Sequence, residues 1–282
     1  MKILITGTGT VAKCLANQLL KNNHEVIFLS TSKKQYPYYY WNPSKKIIDK
    51  ASLKDVDVIF HLAGAGIADK RWTNKRKKEI IDSRVKSAKL ILNALLEEQQ
   101  SIKQFISASA IGYYGTVTSD KIFKEEDLPG NDFLSVTCQQ WENIAWEFKK
   151  HGIAQQVSIH RLGIVFAENS GALPKMLYPF KFKTGVILGS GKQWLPWIDI
   201  NDAVYQLVFA MDNRLEGVFN CVTDVNNQIT YKSFIQQQSV KFKPFFIIRI
   251  PAFILKLILG EMATILLEGS RVSNEKIKKL RF

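Results

Sequence analysis

The strongest constraint on this chain lies in its first two dozen residues. Lys2–Thr6 is a short apolar and β-branched run that ends on a glycine. The turn Gly7-Thr8-Gly9-Thr10-Val11-Ala12 then leads into Thr10–Lys21, where Val11, Leu15, Leu19 and Leu20 recur at helical spacing. A buried strand, a glycine turn and a helix in that order present free backbone N–H groups at a helix N-terminus, which suits an anion. The first glycine permits the tight turn, and the second lets the backbone approach a pyrophosphate. Ala12 stands where a third glycine is usual, and a methyl group is tolerated at that helix–strand contact. The bland alternative is a turn that only connects strand to helix.

The rest of the chain repeats the alternation. Glu25–Leu29, Val56–Leu62, Gln104–Ser109 and Gln156–Phe166 read as strands, and Lys75–Glu98 and Asp132–Lys150 as helices. Strands alternating with helices imply an α/β fold, a Rossmann-like doubly wound parallel sheet covered on both faces. Residues 1–165 are expected to form this nucleotide-binding domain, with later strands returning to it. Residues 166–282 are expected to form a smaller mixed C-terminal substrate lobe at the carboxyl edge of the sheet, where ligands bind in open α/β folds. There Gly171–Leu177, Asn201–Met211 and Thr230–Ser239 read as helices, and Val218–Val222 as a strand. The most apolar stretch, Phe245 to Leu267, is interrupted by Arg249, Lys256 and Glu261, so it falls short of a membrane-spanning helix. A packed amphipathic helix over 251–267 is expected instead, with a membrane-surface helix as the minor alternative.

Composition narrows the partners. Hydrophobic residues make up 46% of the chain, enough for a sizeable core. The three cysteines, Cys14, Cys138 and Cys221, are dispersed, which argues against zinc and for a reducing, cytoplasmic setting. His24, His61, His151 and His160 show no metal-ligand spacing, and no metal is expected. The net charge of +14 concentrates around Lys70–Lys78 and Lys276–Arg281. No nucleic-acid signature accompanies these clusters, so they read as solvated faces, and neither a nucleic acid nor a membrane is expected as partner. At the end of the second strand, Leu29-Ser30-Thr31-Ser32-Lys33-Lys34 offers hydroxyls and cations and no carboxylate. That favours NADP(H) over NAD(H), because an acidic residue there would bind the free ribose 2′-hydroxyl.

Several segments together resemble the short-chain dehydrogenase/reductase superfamily, in its extended, epimerase-like branch. They are His61-Leu62-Ala63-Gly64, Asp82-Ser83-Arg84-Val85, Ser107-Ala108-Ser109-Ala110 with Tyr113-Tyr114-Gly115, Trp141-Glu142, Arg161-Leu162-Gly163, Gly171-Ala172-Leu173-Pro174, Trp197-Ile198-Asp199, and Leu259-Gly260-Glu261-Met262. The match spans nearly the whole chain and is similar to the atypical group labelled NAD-dependent epimerase/dehydratase or nucleoside-diphosphate-sugar epimerase. Two departures stand out. The first turn is one residue shorter than the group's usual G-x-x-G-x-x-G, and Leu134 and Cys138 fall where the superfamily carries its Tyr-x-x-x-Lys pair. Motif and resemblance together imply cofactor contacts at Gly7, Thr8, Gly9, Thr10, Val11, Ser30, Lys33, Leu62, Ala63, Gly64, Arg84 and Ser107. They imply acid–base candidates at Ser109 and Tyr113, and a substrate cleft with Trp72, Lys175, Trp194 and Trp197 for a small anionic or nucleotide-linked molecule. The implied function is an NADP(H)-binding epimerase-like oxidoreductase without the usual pair. The alternative is a non-catalytic NADP(H)-binding regulator or interaction protein.

Overall fold

A computed structural model describes residues 1–32 and 37–282. Lys33 and Lys34, which carry part of the NADP(H) expectation, lie outside the described residues. The first strand, β1 (Lys2–Thr6), is almost entirely buried, and its side chains alternate between two cores. It pairs in parallel with β2 (Glu25–Ser30) on one side and β5 (Val58–His61) on the other. Beyond β2 come β3 (Tyr38–Asn42) and the antiparallel β4 (Ile47–Ile48). Beyond β5 come β6 (Ile102–Ala110), then Ala154–Leu162, then Gly217–Cys221, all parallel. The strand order therefore reverses at the boundary between β1 and β5, and the crevice above that boundary is where a doubly wound sheet binds its ligand.

Helices cover both faces. On one, α2 (Asn74–Glu97) and α3 (Phe133–Lys150) bury Ile91, Leu95 and Phe148 against Leu4, Ile59 and Phe105. Phe148 stacks on Phe105 with ring centroids 3.7 Å apart. On the other, α1 (Thr10–Lys21) and α5 (Ile200–Asp212) bury Leu15, Leu19, Leu207 and Met211 against Ile3, Ile5 and Phe60. The helix starts follow capping chemistry. Thr73 accepts a bond from Arg76 N at the head of α2, and Asp132 accepts one from Ser135 N at the head of α3. Residues beyond 165 thus serve the large sheet as well, through α5 and the strand Gly217–Cys221.

The remaining elements form the smaller mixed lobe: α4 (Ala172–Leu177), α6 (Tyr231–Phe242), α7 (Ala252–Leu259) and short strand pairs. Two of its features differ from expectation. The segment 251–267 is not one helix. Alpha7 ends at Gly260, whose φ of +62° leaves the helical region, and a 3₁₀ turn and a four-residue helix follow. A side chain there would also meet Arg71, with Nε 2.9 Å from its Cβ. The apolar run before α7 is itself a strand, Phe246–Ile250, paired in parallel with Thr184–Leu188. Among the described residues no helix is long and apolar enough to cross a membrane.

Candidate active site

The site is built from the carboxyl ends of β1 and β5. Gly7 has φ +84°, and a Cβ there would lie 2.9 Å from Leu62 O and 3.0 Å from Ala63 Cα, so only glycine fits between the two strand ends. Thr6 Oγ1 accepts hydrogen bonds from Leu62 N and Ala63 N, both at 3.2 Å, and lies 2.9 Å from His61 Nδ1. With both lone pairs taken, the hydroxyl must donate to Nδ1, which leaves the proton of the neutral ring on Nε2, facing Arg84 O at 3.2 Å. His61 is therefore a brace between β1, β5 and α2.

Its burial has a measurable consequence. Desolvation lowers the His61 pKa from 6.5 to about 4, so the unfolded chain takes up a proton that the folded chain refuses. Stability is full above about pH 6.5 and falls as the pH drops toward 4, by at most roughly 3 kcal/mol from this group. His160, fully buried and lowered to about 3, acts in the same direction. Urea unfolding between pH 7 and 4.5 should show the loss, with a shallower slope in His61→Asn. Parallel slopes would remove His61 as the cause.

Gly9 differs from Gly7. Its φ is −73°, and a Cβ built on it meets nothing within 4 Å. It heads α1 with no side-chain cap and no acidic residue in the first turn. The first intrahelical bond runs from Lys13 N to Gly9 O, so the N–H groups of Thr10, Val11 and Ala12 have no acceptor within the helix. They border a cleft of about 270 Å³ whose wall also includes Leu62, Ala108, Trp141, Leu162, Val165 and Ser170. Thr10 Oγ1 and Ser170 Oγ, 2.7 Å apart, tie the glycine turn to the second lobe. Trp141 is 6% exposed, its indole N–H has no hydrogen-bond partner among the described residues, and the Arg84 guanidinium sits 4.9 Å from its ring centroid.

The other sequence candidates divide. Leu62 lines the cleft with Gly9, Thr10 and Val11, and Ala63 is fixed by Thr6. Gly64 lies against Arg84, whose Nη1 donates to Ala65 O at 3.1 Å and Ile80 O at 2.9 Å. Burial lowers the Arg84 pKa to about 10, which leaves it charged at neutral pH. Ser30 donates to Ser32 O and caps its own turn at the end of β2. Ser107 is fully buried in β6, with its hydroxyl on Ala108 O. Ser109 donates to Glu142 Oε1 at 2.6 Å. Tyr113 is half-buried, with the Arg161 guanidinium 3.4 Å from its ring centroid. Trp72 donates to Ile67 O and packs edge-on against Phe133, close to Met262. Trp197 stacks on Phe166, Trp194 lies under Arg271, and Lys175 is exposed on α4. No packing cluster among the described residues holds Trp72 together with the two later tryptophans.

A buried polar network runs beneath the site. Arg161 donates from Nε and Nη2 to the two Glu142 oxygens, both at 2.9 Å, and from Nη1 to Tyr114 Oη at 3.0 Å and Glu125 O at 3.2 Å. Tyr114 donates to Asn220 Oδ1 at 2.7 Å, so the network links β6, through Ser109, with α3 and the strands Ala154–Leu162 and Gly217–Cys221.

The model of the NAD dependent epimerase/dehydratase family matches residues 3–221. The chain belongs to this family. A second model, described as a domain of unknown function (DUF1731), matches residues 250–282 of this epimerase-family chain. It is 33% identical to the epimerase family protein YfhF of Bacillus subtilis, over 98% of this chain and 91% of that protein. It is 30% identical to the epimerase family protein ML0860 of Mycobacterium leprae, over 93% and 84%. Among solved structures it is similar to the human epimerase family protein SDR39U1 (isoform 2) with NADPH. There the TM-score is 0.86 at 26% identity, with 100% of this chain and 94% of that chain covered. It also shares its fold with MoeE5 in complex with UDP-glucose and NAD, at TM-score 0.80 and 18% identity, over 99% and 92%.

Within this epimerase-family frame, Leu134 and Cys138 occupy the first two turns of α3. Leu134 packs toward Trp72, Ile80 and Met262, and Cys138 is buried, its thiol pushed up to about 12 by desolvation. Cys138 is thus a neutral thiol at neutral pH. Sequence reading did not single out Trp141, Ser170 or Arg161 as site residues. Trp141 and Arg161 were visible only as members of matching segments, and Ser170 only as a neighbour of Gly171. An arginine inside the strand Ala154–Leu162 was the one local signal of a buried ion pair.

Proposed function

We propose that the chain binds NADP(H) and acts as an epimerase-like oxidoreductase on a small anionic or nucleotide-linked substrate, without a Tyr/Lys pair. One observation carries this reading: the open space in front of Gly9, at an uncapped, acid-free helix N-terminus bordering the cleft. The bound NADPH of the similar human structure supports it. The residues present fit such a group. Thr10, Val11 and Ala12 supply N–H donors for a pyrophosphate, beside Gly7 and Thr8. Ser30 is assigned to the ribose-phosphate end, where the sequence also offers Lys33, and Leu62, Ala63, Gly64, Arg84 and Ser107 are assigned to the other. When bound, the nicotinamide supplies hydride transfer. The chain's own part is to exclude water with Leu62, Trp141, Leu162 and Val165, and to exchange a proton at Tyr113 Oη or Ser109 Oγ. Trp72, Lys175, Trp194 and Trp197 are assigned to the substrate, for which the UDP-glucose of MoeE5 is a guide to chemical class. Three free cysteines fit a reducing, cytoplasmic setting.

A specific observation favours a second reading, a non-catalytic NADP(H)-binding regulator. The described wall of the cleft carries hydroxyls and one indole N–H but no ionisable side chain. Ser109 is committed to Glu142. Titration with NADPH and NADH tests both readings, and the absence of NADPH binding by folded protein would remove both. The double change Lys33→Ala/Lys34→Ala should weaken NADPH about tenfold or more and leave NADH nearly unchanged. Equal losses would end the 2′-phosphate argument. Turnover of bound NADPH with carbonyl compounds or nucleotide sugars separates enzyme from regulator.

A further inference from the structure

The acidic residues of this chain are unevenly placed. Of its 25 carboxylates, none falls in residues 169–198 or 225–260, although these segments carry nine lysines and arginines. All nine are exposed, and none is in an ion pair among the described residues. The same segments hold many of the exposed large apolar side chains among the described residues. Among the described residues the strand Phe246–Ile250 is hydrogen-bonded on one side only, and its exposed Phe246 and Ile248 share a face of the strand with Ile250, which packs in one cluster with Leu255 of α7. Alpha7 packs inward through Leu255 and turns Phe253, Leu257 and Ile258 outward, at 70%, 77% and 62% exposure. Phe182 and Tyr178 extend the face, because Phe245 N donates to Lys183 O and the strand pairing sets Thr184 beside Phe246.

We propose that this face docks on the surface of an anionic phospholipid bilayer, with the aromatic and aliphatic side chains entering the interface and the surrounding cations meeting lipid phosphates. An exposed apolar patch of this extent needs a partner. The charge selects it: unpaired cations rimming apolar side chains complement a negative, apolar-backed surface. A second copy of the chain is the poorer occupant, because it would bring like-charged rims together. Pairing along the open strand edge is also guarded, by Pro244, Pro251 and the charge of Arg249. From sequence no membrane partner is expected, because the charge clusters read as solvated faces; the exposed apolar side chains overturn that expectation for this face, and the length of the apolar run bears only on crossing. No residue of Phe246–Ile250 or of α7 lines the cleft at Gly9, so docking and cofactor binding are separately testable.

Vesicle flotation provides the test. The full chain should float with vesicles of phosphatidylcholine and phosphatidylglycerol, stay behind with phosphatidylcholine alone, and be released by high salt. Phe253→Glu/Leu257→Glu should abolish flotation, with thermal stability and NADPH affinity unchanged. Lys183→Ala and Arg249→Ala should each weaken binding about fivefold. Three results would overturn the proposal: no flotation with anionic vesicles, undiminished flotation of the glutamate variant, or a concentration-dependent dimer in sedimentation equilibrium that the glutamate variant abolishes.

Discussion

Arg161→Met is expected to destabilise the fold by about 3–5 kcal/mol, a large part of the roughly 5–15 kcal/mol that holds a domain together. The arginine is 2% exposed and its partner Glu142 is 6% exposed, so removing the cation strands a carboxylate inside the protein with Ser109 as its remaining donor among the described residues. Tyr114 and Glu125 O lose their donor in the same step. Burial pushes the Tyr114 pKa above its ordinary value, so the phenol stays neutral and adds no second anion beside the stranded carboxylate. Urea unfolding of Arg161→Met, Glu142→Leu and the double variant gives the decisive comparison. The double variant should recover much of the loss, because two apolar residues of similar volume leave no charge unpaired. A single-variant loss under about 1 kcal/mol would mean that water reaches the pair. The network also holds the candidate acid–base residues in place. Tyr113 lies under the guanidinium and Ser109 on the carboxylate, so a double variant that restores stability should still disturb any turnover that depends on them.

What the sequence disclosed and what it hid follow from the range of the interactions. The β1–α1–β2 unit was legible because its signals are local: a β-branched run, a glycine turn, and a helix with apolar residues at one spacing. The helix bounds of α2 and α3 were legible to within a residue or two for the same reason, from local apolar spacing. The segment 251–267 misled because periodicity sees the apolar residues and not what Gly260 must avoid, which is the side chain of Arg71 from a loop far back in the chain. Phe246–Ile250 was hidden in the same apolar run because its hydrogen-bonded neighbour, Thr184–Leu188, lies far away in sequence. At the site, Gly7 and Gly9 look alike in sequence and do different work. Trp141 is a member of a helical apolar stripe until the fold turns it toward the cleft. The acid-free segments were written in the sequence, but their meaning depends on knowing which apolar residues among them stay exposed.

Gly9→Asp should lower NADPH affinity at least about 100-fold, some 3 kcal/mol, while leaving the protein as stable as before or slightly more so. Both halves follow from one geometry. A Cβ on Gly9 meets no protein atom within 4 Å, and the backbone there, at φ −73° and ψ −178°, is extended and open to any residue. The position is also the uncapped N-terminus of α1, where an aspartate caps the helix better than glycine by a few tenths of a kcal/mol and complements its dipole. The side chain therefore costs the fold nothing. It does occupy the space that the free N–H groups of Thr10, Val11 and Ala12 leave for an anion, and it sets a carboxylate against the pyrophosphate. Gly7→Ala makes the contrast. Its φ of +84° and its 2.9 Å approach to Leu62 O predict a loss of about 1–3 kcal/mol of stability. Fluorescence titration with NADPH alongside thermal melts of both variants reads the two effects separately. Unchanged NADPH affinity in a folded Gly9→Asp protein would show that the space in front of α1 is not where the phosphates bind. A melting temperature that falls together with affinity would mean that Gly9, like Gly7, is there for the protein's own packing.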